Sequence, residues 1–85
     1  MDNLVSIMVD IHDTDIDNFL SIIKNSKLKL EFASGPFIFD ANDILNLFIF
    51  DLNHCIELII HYNTNDDYIK FITLLNENKI KFEGV

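Results

Sequence analysis

The run Cys55–Tyr62 constrains this chain more than any other segment. Ile56, Leu58, Ile60 and Tyr62 alternate there with Cys55, Glu57, Ile59 and His61, and β-branched residues dominate the run. Only an extended strand sends such a set to one side, because successive side chains of a strand point to opposite faces. The same alternation opens the chain. Val5, Ile7, Val9 and Ile11 share one face, and Ser6, Met8 and Asp10 share the other. Any fold for this sequence therefore contains at least two strands with one buried side each.

The spacing changes between these strands. Thr14 followed three residues later by Asp17 resembles a capping box, and Ile16, Phe19, Leu20 and Ile23 follow at helical spacing. A helix from about Asp15 to Asn25 is predicted. Alternation returns at Lys27–Phe32, with Leu28, Leu30 and Phe32 inward. Ser34, Gly35 and Pro36 break it before Phe37, Ile38 and Phe39 resume, which reads as a hairpin. Asn42 or Asp43 can cap a short helix carrying Ile44, Leu45, Leu47 and Phe48, followed by a loop over Asp51–His54. Beyond the Cys55–Tyr62 strand, Thr64–Asp67 repeats the capping pattern. Tyr68, Phe71, Ile72 and Leu75 then form one stripe of a last helix ending near Asn78.

The expected architecture is α+β in the order β-α-β-β-α-β-α: a four-stranded antiparallel sheet with the helices on one face, an open-faced sandwich. The uncovered face carries Ser6, Met8, Lys29, Glu31, Glu57 and His61 toward water, and Ile38 and Ile59 also fall on it. Residues 1–85 are read as one domain, a length that suits a single core. Hydrophobic residues make up 49% of the chain, which argues against disorder.

Charge and cysteine content narrow the function. Fourteen acidic residues against six lysines, with no arginine, give a formal charge of -8. Such a chain repels phosphate backbones and anionic lipid, so nucleic acid and membrane surfaces are not expected partners. Its longest apolar stretch, Ile44–Phe50, is far short of the roughly 20 residues that span a bilayer. Cys55 is the single cysteine, which suits a reducing compartment, and no basic segment precedes the first apolar run; a cytoplasmic protein is expected.

The element order, the length and two segments together resemble the histidine-containing phosphocarrier (HPr) family of bacterial sugar phosphotransferase systems. The stronger segment, Asp40-Ala41-Asn42-Asp43-Ile44-Leu45-Asn46-Leu47-Phe48, is similar to the family's run around its regulatory serine, with Asp43 at that serine's place. The second, Ile11-His12, looks like the active-site turn at the head of the first helix, and His12 and Asp43 stand at the separation of the family's two functional residues. The resemblance implies the open-faced sandwich, His12 as phosphoryl acceptor, Asp43 as the regulatory equivalent, and Ile44, Leu45 and Phe48 as the partner-docking set.

The departures fall where the chemistry lies. Thr14 stands in place of the family's arginine and Asp15 in place of its proline. A phosphoryl group on the histidine gains from that arginine and from free amides at the helix N-terminus. Here Asp13, Asp15 and Asp17 compete for those amides. A carboxylate about 4 Å from a phosphoryl oxygen costs roughly 1 kcal/mol in water and about 4 in a semi-buried site. The same aspartates favour the imidazolium form of His12, whereas attack on phosphorus needs a neutral ring nitrogen. The expectation is an HPr-like regulatory or degenerate protein with impaired transfer. The alternatives are an active phosphocarrier at His12 and a non-catalytic adaptor.

Each feature also has a plainer reading. Asp43 is an ordinary N-cap, and Ile44, Leu45 and Phe48 are a locally folded core. Asp13-Thr14-Asp15-Ile16-Asp17-Asn18 imitates the start of a calcium loop, but Lys24 occupies the place that needs a bidentate glutamate. His54 reads as a loop residue and His61 as an exposed strand residue, neither at zinc-ligand spacing. No cofactor, metal or self-contained catalytic centre is expected. Expected partners are proteins, phosphotransferase components or a regulator among them, with self-association through the open sheet face as a further option.

Overall fold

A computed structural model describes residues 3–10, 15–43 and 55–84. Among these it contains five strands and two helices: β1 (Asn3–Asp10), α1 (Ile16–Asn25), β2 (Lys29–Ser34), β3 (Phe37–Asp40), β4 (Cys55–Tyr62), α2 (Asn65–Glu77) and β5 (Phe82–Gly84). The strands form one sheet in the order β3-β2-β4-β1-β5, and every neighbouring pair is antiparallel.

The α+β class and the antiparallel sheet agree with the sequence, but the sheet has five strands where four were expected. The additional one, β5, pairs with β1 at Val9↔Phe82 and Ile7↔Gly84. It exists because α2 stops sharply. Lys79 takes φ 58°, the Ile80 amide donates to the Leu75 carbonyl at 2.9 Å, and the Lys79 amide donates to Asn76 at 3.1 Å. These are the two bonds of a Schellman turn, which satisfies the last helical carbonyls and sends the chain back along the sheet.

The crossovers through α1 and α2 each enclose a strand. β1 and β2 each pair antiparallel with β4, so they run parallel to one another with β4 between them. β4 and β5 flank β1 in the same way. The result is two interleaved split β-α-β units. Their helices cover one face: Phe19, Ile22 and Ile23 of α1 and Phe71 and Leu75 of α2 cluster with Ile7, Val9, Leu30, Phe32, Ile56, Leu58 and Ile60 of the sheet. Each side chain buried in this way is worth about 1.5–3 kcal/mol.

The helix starts follow capping chemistry, with one change from expectation. Thr64 caps α2, its side chain accepting from the Asp67 amide at 3.2 Å. At α1 the cap is Asp15, whose Oδ1 accepts from the Asn18 amide at 3.1 Å, rather than Thr14. Aspartate is as good a cap as threonine and adds a charge that favours the positive helix end. The hairpin between β2 and β3 is closed by Gly35 and Pro36, with Ser34 paired to Phe37. Gly35 has φ +58°, the left-handed sign that a tight two-residue hairpin turn requires.

The two isoleucines expected on the open face differ in burial. Ile59 is only 7% exposed there, whereas Ile38 on the edge strand β3 is 59% exposed. Ile59 lies on the central strand with Ser6 and Glu31 as its register partners. Around it the Ser6 hydroxyl donates to Glu57 Oε2 at 3.2 Å, and His61 Nε2 meets Glu31 Oε1. His61 is therefore a half-buried, partnered residue, not an exposed one. Among the described residues, no helix is long and apolar enough to cross a membrane.

Candidate functional site

The sequence singled out two places, the turn from β1 into α1 and the segment after β3. His12 lies in the first, outside the described residues, as do Ile44, Leu45 and Phe48 in the second. The residues that flank them belong to the sheet and to α1.

At the first place, Asp10 ends β1 opposite Cys55, and its amide donates to the Lys81 carbonyl at 2.8 Å. Asp15 precedes α1 and its carboxylate accepts from the Asn18 amide. The Asn18 side chain in turn donates to Asn78 Oδ1 at 3.1 Å, which ties the start of α1 to the end of α2. Asn78 also donates from Nδ2 to the Leu74 carbonyl at 2.8 Å. The N-terminal end of α1 is thus braced from two sides, and one of its free amides is already satisfied by a carboxylate of the same chain.

Beside Asp10 is a cleft of about 450 Å3 between β1, the start of β4, and the chain running from α2 into β5. Asp10, Cys55, Lys81 and Glu83 bring two carboxylates, a thiol and an ammonium group to its walls, with Met8 and Ile80 supplying apolar surface. Cys55 is exposed and unbridged. The sequence did not reveal this cleft, because it needs β5. The only signal was the short alternation of Ile80 and Phe82 with Lys81 and Glu83, below the length at which alternation distinguishes a strand from a loop.

At the second place, Asp43 is exposed just beyond β3. Its amide donates to the Asp40 carbonyl at 3.0 Å, and the Asn42 amide donates to Asp40 Oδ1 at 2.9 Å. Ala41, 4% exposed, donates its amide to the Leu30 carbonyl at 2.9 Å. These bonds form an Asx turn that halts the edge strand and turns the chain toward residue 44.

Among the described residues, no group of three or more His, Cys, Asp and Glu side chains is placed to hold a metal ion. The carboxylate of Asp15, one of the calcium-loop positions, serves as a helix cap instead. Comparison of the chain with protein-family profiles, with curated proteins and with solved structures finds no match in any of the three.

Proposed function

We propose that this chain is an HPr-like protein of phosphotransferase or carbon-regulation machinery, degenerate in phosphoryl transfer, that works by contact with a protein partner. One observation carries the reading. The described elements run strand, helix, strand, strand, then strand and helix, in a wholly antiparallel sheet with both helices on one face, and Asp43 directly follows the third strand. The family resemblance implies these elements in this sequence together with a short helix after the third strand, which lies outside the described residues, and without β5.

The chemistry follows from the head of α1. His12 is the one candidate acceptor in that turn. A phosphoryl group held there draws on helix N-terminal amides, and the Asn18 amide is committed to Asp15. Asp17 adds a second negative charge in the first turn. No arginine exists in the chain to offset them. The phosphorylated form is therefore disfavoured, and recognition through Ile44, Leu45 and Phe48 is the remaining role, with Asp43 as a permanent charge at their edge.

Incubation with phosphoenolpyruvate and a phosphotransferase enzyme I, followed by intact-mass measurement, tests this. The expected result is no stable gain of a phosphoryl group, with retained binding to a phosphotransferase component that Leu45→Ser or Phe48→Ser abolishes without lowering Tm. A phosphoryl gain that disappears in His12→Ala establishes an active carrier instead. Neither gain nor binding leaves an adaptor outside the phosphotransferase system.

A further inference from the structure

The lysines are not spread over this acidic chain. Three of the six line one stretch of surface: Lys27 in the link after α1, Lys29 at the start of β2, and Lys70 on α2. The surface between them is not flat. A cleft of about 280 Å3 runs between the α1–β2 link and α2, floored by Leu28, Phe71 and Leu74 and rimmed by Lys27 and Lys70. A second, of about 290 Å3, continues from it past Lys29 to His61, and the two share Lys27, Leu28 and Asp67.

This groove brings apolar surface and ammonium groups together on a chain of formal charge -8. Phe71 is 2% exposed and forms the floor, while Leu74 is 43% exposed on the same helix. An apolar side chain entering the groove would gain the floor, and carboxylates beside it would meet the ammonium rim. Three lysines line the two clefts against one carboxylate, Asp67; Asp66 stands beside it in the first turn of α2, and Glu31 is held by His61. Two whole copies of the chain repel each other at long range, which disfavours a second copy as the occupant.

We propose that this groove docks an acidic segment of another protein, one carrying leucine-like side chains between its carboxylates. The site does not depend on His12 or on the phosphotransfer reading, and it stands or falls separately from them.

The probe is a synthetic peptide of alternating glutamate pairs and leucines, titrated into the isotopically labelled full chain and followed by backbone amide resonances. One control peptide replaces each glutamate with lysine, and another replaces each leucine with serine. The acidic leucine peptide is expected to shift the amides of Lys27, Leu28, Lys70 and Leu74 first. Its affinity should fall roughly tenfold in the Lys27→Glu/Lys70→Glu double variant, and should also fall as salt is raised from about 0.05 to 0.3 M. The mapping needs no variant, so a failure of the double variant to fold does not remove the test. The proposal is overturned by an absence of shifts at these amides at millimolar peptide, or by equal binding of either control. Shifts at the groove that grow with protein concentration alone overturn it in favour of a second copy.

Discussion

His61 on β4 reaches diagonally across the open sheet face to Glu31 on β2, with its Nε2 against Glu31 Oε1. The register sets the diagonal: His61 lies opposite Lys29, and Glu31 lies opposite Ile59. The two side chains retain 20% and 24% of their exposure, so water still screens the contact. A double-mutant cycle with Glu31→Ala and His61→Ala, read by urea unfolding at neutral pH, should give a coupling of no more than about 1 kcal/mol. A coupling several times larger would mean that the pair is a principal clamp of the sheet.

Ile59 is the stronger contributor on that face. Ile59→Ala should cost about 2–3 kcal/mol, whereas Ile38→Ala should stay within about 0.5. The difference comes from strand position, since Ile59 is 7% exposed on the central strand and Ile38 is 59% exposed on the edge. Denaturant midpoints of the two variants decide it, and equal losses would contradict the burial described here.

Phe19 of α1 and Phe32 of β2 join the helix layer to the sheet, with ring centroids 6.2 Å apart and both rings fully buried. Phe32→Ala should lose about 3–5 kcal/mol. A chain of this length holds only about 4–13 kcal/mol in total. Circular dichroism should therefore show a large unfolded fraction on mild warming. Phe37→Ser, at a ring 63% exposed, should melt close to the parent.

Lys79 offers a gain. Its φ of 58° is left-handed, which costs a residue with a Cβ but not glycine. Lys79→Gly should raise stability by about 0.5–1 kcal/mol, net of the added freedom of the unfolded chain, and raise Tm by a few degrees. Thermal melts test this directly, and a fall in Tm would show that the lysine side chain contributes more than its backbone strain removes.

Asp15 separates capping from charge. Asp15→Ala should cost about 1 kcal/mol and speed hydrogen exchange at the Asn18 amide, while Asp15→Asn keeps a good cap and most of the stability. If the carboxylate is what opposes an anion at the head of α1, Asp15→Asn should also bind inorganic phosphate more tightly than the parent, as seen by amide shifts at Asn18.

The strands and helices were readable from local spacing because burial acts on each element one face at a time. The alternation at Val5–Val9 and Ile56–Tyr62 and the stripe of Tyr68, Phe71, Ile72 and Leu75 needed no knowledge of their neighbours. Thr64 was recognisable as a cap for the same reason, since its partner is three residues away. The α1 cap was harder, because Thr14 and Asp15 are adjacent and equally able to accept from the first turn; the backbone path into the helix chose Asp15.

What local spacing could not decide is everything that depends on which strands become neighbours. Isolated from β1, residues 82–84 carry too few side chains to declare a strand, and β5 forms because the Schellman turn at Lys79 delivers them to an open edge. Ile59 and Ile38 share a face and a residue type, yet one is buried and the other is not, because β4 has a neighbouring strand on each side and β3, at the edge, has one. The lysine-rimmed groove arises in the same way: Lys27 and Lys70 stand 43 residues apart in the sequence and meet across one cleft only after α2 has packed beside the start of β2. Periodicity reports which side of an element avoids water; adjacency is set by the folding of the whole chain, when distant elements compete for the same buried surface.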